Sequence, residues 1–63
     1  MKLDEYRSKR FLIVDNYKTF AETLKQMIIT RGAQRIDICH QGKEAVARCK
    51  ANKYHVILMG YDL

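Results

Sequence analysis

Sixty-three residues, 48% hydrophobic and 30% charged with a net charge of +5, suffice for one small domain. No apolar run approaches the ~18 residues that a membrane span needs, and the charged N-terminus lacks the apolar core of a signal peptide, which predicts a cytoplasmic protein. The twelve Lys and Arg are scattered without interleaved aromatics, so nucleic-acid binding is the weakest of the function classes left open.

Residues 1–9 are polar and read as an N-terminal arm, with Leu3 and Tyr6 spaced for at most one helical turn. "RFLIVD" follows, a continuous apolar run of strand formers ending at Asp15. A helix comes next, because Phe20, Leu24, Met27 and Ile28 recur at spacings that gather them on one face. Its start has two candidates, Asn16 as N-cap or the capping box "TFAE". Gly32, just after Arg31, marks its end. "RIDIC" puts Ile36 and Ile38 on one strand face, and "HQG" turns the chain, with Gly42 suited to positive φ. A second helix is expected over residues 43–52, presenting Ala45, Val46 and Cys49 together. Residues 56–59, "VILM", form the last strand.

Strands separated by helices imply right-handed crossovers into a parallel sheet. The first and third strands are apolar throughout, so the α/β order β-α-β-α-β is expected to arrange its strands 2-1-3. Phe11, Ile13, Phe20, Leu24, Ile36, Ile38, Val46, Ile57 and Leu58 are the expected core. Cys39 and Cys49 read as reduced, buried thiols, since their spacing fits no zinc pattern. His40 and His55 read as surface residues. Asp15, at the strand end, reads as a carboxylate serving the following helix.

"FLIVDN", the helix bearing Phe20 and Leu24, the turn "HQGKEAV" and "YHVILMGYDL" together resemble the N-terminal half of a response-regulator receiver domain of two-component signalling. The match spans residues 10–63, a truncated receiver-like domain behind the arm of residues 1–9. The resemblance implies half of a flavodoxin-like fold, whose full strand order is 2-1-3-4-5. It also implies where the family's chemistry would sit. Asp15 and Asn16 stand at the two acidic positions after the first strand, Gly60 at the phosphoacceptor position, and Asp62 where a backbone carbonyl completes the Mg²⁺ shell. The hydroxyl residue and lysine of the family's fourth and fifth strands have no counterpart here.

Gly60 has no carboxylate to accept a phosphoryl group, and Asn16 brings no negative charge, so Asp15, Asn16 and Asp62 form at most a weak residual metal site. The expectation is therefore no enzyme and no bound cofactor, although the family uses Mg²⁺. Two readings follow from the resemblance. One is a non-phosphorylatable phosphorelay module acting through contacts with a histidine kinase or an output domain. The other is a fragment of an active phospho-receiver whose acceptor position, Gly60, has been altered.

The third strand carries one more expectation. In half a receiver "VILM" is an edge strand with no Pro, no charge and no covering helix. Pairing with a second copy would hide it, making a homodimer of strand order 2-1-3-3-1-2 through Val56, Ile57, Leu58 and Met59. Tyr61 either anchors that contact or covers the apolar edge.

Overall fold

The structure, a computed structural model, describes residues 6–60. Three strands, β1 (Arg10–Asp15), β2 (Arg35–Cys39) and β3 (Val56–Gly60), alternate with two helices, α1 (Lys18–Ile29) and α2 (Gly42–Ala51). The sheet is parallel throughout and its order is β2-β1-β3. The chain is thus α/β, with a central first strand as its apolar run predicts.

β1 is buried along residues 11–15 because it has a helix on each side. Phe11 and Ile13 face α1, where they pack with Ala21, Ile28 and Ala33, and the half-buried Leu24, Ile36, Ile38 and Leu58 close around them. Leu12 and Val14 face the other way, onto Cys39 and Ala45. The small side chains Ala21 and Ala45 are buried between each helix and the sheet, where a larger residue would hold the helix off. α1 ends as its sequence foretells: Gly32 takes φ 101°, its N–H bonds to Ile29 O at 2.9 Å, and Ala33 N–H bonds to Ile28 O at 3.1 Å. That bond pair is the Schellman closure of a helix.

Several expectations are corrected. Phe20 is 51% exposed, Val46 57% and Ile57 45%, so none of the three belongs to the core. Phe20 lies in the first turn of α1, at the carboxyl end of the sheet beside Gly60. Val46 and Ile57 are open for a shared reason: α2 rests on β1 and β2, leaving an uncovered apolar groove between α2 and β3 that both residues line with Met59. Among the described residues β3 is consequently covered on one face only, with Val56 and Leu58 inward and Ile57 and Met59 outward. Gly42 is the first residue of α2 and not a positive-φ turn. Cys49 is exposed, while Cys39 is buried as expected. Burial, and then the carboxylate of Glu44, push the Cys39 thiol above its ordinary pKa, which keeps it protonated and inert. Tyr6, from the arm, stacks on Phe11 with ring centroids 5.6 Å apart.

On the α2 side a polar brace ties the strands together. The Tyr54 hydroxyl donates to Asp37 Oδ2, Arg10 contacts the same oxygen at 3.4 Å, and the Arg10 guanidinium lies 5.2 Å from the Tyr54 ring centroid. The brace therefore joins β2, β1 and the segment leading into β3. The Tyr54 hydroxyl, and next Arg10, hold the Asp37 carboxyl below its ordinary pKa against the opposing effect of burial. Burial, and next the bond to Asp37, raise that of Tyr54.

A depressed carboxyl contributes stability that is present above its unfolded pKa, near 3.9, and that is lost as pH falls through the lower folded value. The Asp37 side chain is 30% exposed, so Tyr54→Phe should cost only about 1 kcal/mol at neutral pH. The variant should also lose less stability than the parent between about pH 5 and pH 2. Urea melts across that range check both; parallel pH profiles would remove Tyr54 from the brace.

Candidate functional site

Open parallel sheets present functional groups at the carboxyl ends of their strands. Here that end is built by the β1–β3 register, which makes Asp15 and Gly60 direct Cα partners. Asp15 is only 3% exposed, the one buried charged residue among those described. Its Oδ1 accepts the Tyr17 N–H at 2.8 Å, a side-chain turn that leads the chain off β1 into α1. His40, at the end of β2, lies with Nδ1 2.9 Å from the Asp15 backbone carbonyl oxygen; since a carbonyl only accepts, Nδ1 carries the proton. Both ends of Asp15 are therefore engaged by the fold.

α1 begins accordingly. Its N-cap position is Tyr17, which makes no side-chain cap, and Asn16 is exposed in the bend before it. Neither expected start holds: Asn16 does not cap, and Thr19 lies inside the helix, where its carbonyl accepts the Thr23 hydroxyl at 3.0 Å. The helix-serving reading of Asp15 is the one the geometry carries, by way of the Tyr17 amide. His40 is half-buried and bonded into this corner, a role its sequence neighbourhood does not signal. His55, by contrast, is exposed and flanks the sheet, its Nδ1 accepting Arg10 N–H at 2.9 Å.

Gly60 ends β3 without a positive φ. Above it lie the far oxygen of the Asp15 carboxylate and, 3.5 Å from where a Cβ would stand, Cε2 of Phe20. Tyr17 and Phe20, 53% and 51% exposed, give the corner an aromatic rim. Tyr61 and Asp62 lie outside the described residues.

The donors described do not fit Mg²⁺. A hard cation needs several oxygens with net negative charge; here the one carboxylate, Asp15, is buried and already accepts from Tyr17 N–H. Asn16 adds a neutral amide at the surface. Among the described residues no three His, Cys, Asp or Glu side chains come together as metal ligands. No helix among the described residues is long and apolar enough to cross a membrane. Comparisons with family models, with curated proteins and with solved structures found no match.

Titration with Mn²⁺, which takes the same oxygen donors as Mg²⁺, should cause no site-specific paramagnetic broadening of the Asp15, Asn16 or Gly60 amides at sub-millimolar metal. Saturable broadening confined to those amides would establish a cation site at this corner.

Proposed function

We propose that this chain is a receiver-like module of a two-component phosphorelay, half of a flavodoxin-like fold, that takes no phosphoryl group at position 60 and acts through protein contacts. The observation that carries the reading is the pairing of Asp15 with Gly60 at the carboxyl ends of adjacent parallel strands, in sheet order β2-β1-β3. It agrees with the resemblance of "FLIVDN" and "VILMGYDL" to the first and third strands of receivers. Phosphoryl transfer to a receiver needs a carboxylate oxygen as nucleophile, and Gly60 supplies none. What the corner retains is a surface, in the exposed Asn16, Tyr17 and Phe20.

Two NMR titrations test this reading. The paired helices of a histidine-kinase dimerisation domain should perturb the amides of Asn16, Tyr17 and Phe20. Beryllofluoride with Mg²⁺ should leave Asp15 and Gly60 unshifted. Silence toward the kinase helices would remove the signalling assignment, and a saturable beryllofluoride shift would make the site phospho-competent.

The same reading includes a second copy on β3. The two edge strands of the described sheet differ in kind. β2 carries Arg35 and Asp37, with Arg10 beside them, whereas Val56–Gly60 carries no charge and exposes Ile57 and Met59. Charge protects an edge; a flat apolar edge invites pairing. Antiparallel pairing about a two-fold axis at Leu58 would set Ile57 of each copy opposite Met59 of the other on the α2 side. The two open grooves would then merge, in an interface of about 1,200–2,000 Å² in total. Light scattering after size exclusion should give a dimer mass. Ile57→Lys should give a folded monomer, because Ile57 is already 45% exposed in the protomer. A wild-type monomer at micromolar concentration, or a dimer that survives Ile57→Lys, would contradict the arrangement.

A further inference from the structure

We propose that Gly60 and Asp15 form an interlock, in which the Asp15 carboxylate fills the volume where a side chain at position 60 would begin. Gly60 would then be a positioning residue: its missing Cβ lets Asp15 hold the start of α1. The inference rests on geometry alone and stands whether or not the signalling assignment does.

Backbone conformation does not explain this glycine. Gly60 is an extended strand residue, and Gly32 is the one glycine with positive φ. In an extended strand alanine is ordinarily the better residue, because glycine loses more conformational freedom on folding. What distinguishes position 60 is space. A Cβ built there overlaps Asp15 Oδ2 and comes within 3.1 Å of Asp15 Cγ, with Phe20 Cε2 at 3.5 Å on another side.

Asp15 has little freedom to give way. Its backbone is fixed by the β1 ladder, where it pairs with Gly60, and its carbonyl oxygen is held at 2.9 Å from His40 Nδ1. Its carboxylate is buried, with Oδ1 bonded to Tyr17 N–H at 2.8 Å. The remaining freedom is rotation of the side chain, which carries both oxygens together. A side chain at 60 therefore moves Oδ2 aside only by taking Oδ1 from the Tyr17 amide. Without that bond the turn into α1 loses its one described side-chain acceptor, and the aromatic rim of Tyr17 and Phe20 loses its anchor.

A double-mutant cycle tests the interlock, with urea midpoints and amide hydrogen exchange as readouts. Gly60→Ala should lower the midpoint, against the ordinary preference for alanine, and speed exchange of the Tyr17 amide at least tenfold. Asp15→Ser keeps a short acceptor near Tyr17 N–H but removes the far oxygen, so adding Gly60→Ala to it should cost little or stabilise. If Gly60→Ala alone fails to fold, cooperative melting of the double variant supports the interlock equally. Equal loss in both backgrounds, failure of both variants to fold, or Gly60→Ala with unchanged Tyr17 protection would overturn it.

Discussion

β1 is apolar on both faces, and the fold covers both of them. Phe11 and Ile13 point to one helix, Leu12 and Val14 to the other, and all four are buried. Everything else in the fold is arranged around that coverage. β2 and β3 flank β1 because its backbone groups need partners on both sides, and the two crossovers lay one helix on each face. The same placement carries Asp15, at the end of the run, into a corner where three chain segments meet.

A charge in such a corner must be compensated by the fold. The compensation described is local: the Tyr17 amide meets one carboxylate oxygen two residues on, and Gly60 leaves room for the other. A carboxylate so engaged serves architecture, since it fixes the exit from β1 and hence the start of α1. Beside it, Asn16, Tyr17 and Phe20 are left at the surface, where recognition is the chemistry open to them. The proposed signalling role and the proposed interlock meet here but have separate supports, one in resemblance and topology, the other in space.

The element order, the parallel sheet and the central place of β1 were legible because each follows from a long apolar run or a repeated spacing. The end of α1 was legible for the same kind of reason, since Gly32 allows a conformation that its neighbours resist. Coverage was not legible. "VILM" reads as a strand buried on both faces, yet α2 has ten residues and sits over β1 and β2, so Ile57 and Met59 stay open. Phe20 follows the helical apolar spacing, but it stands in the first turn, at the carboxyl end of the sheet. Periodicity reports which face of a helix is apolar and says nothing about where the neighbouring element stops. The contact of Asp15 with Gly60 and the bond from His40 join residues far apart in sequence, and no local pattern signals them.

The account depends most directly on the register of β1 against β3. Interstrand amide–Hα cross-peaks in an NOE spectrum should show parallel pairing that matches Ile13 with Leu58 and Asp15 with Gly60. A slip of one residue would set Asp15 against Met59 and turn Ile57 and Met59 toward α1. Such a pattern, or antiparallel pairing of these strands, would contradict the site, the interlock and the exposed groove together.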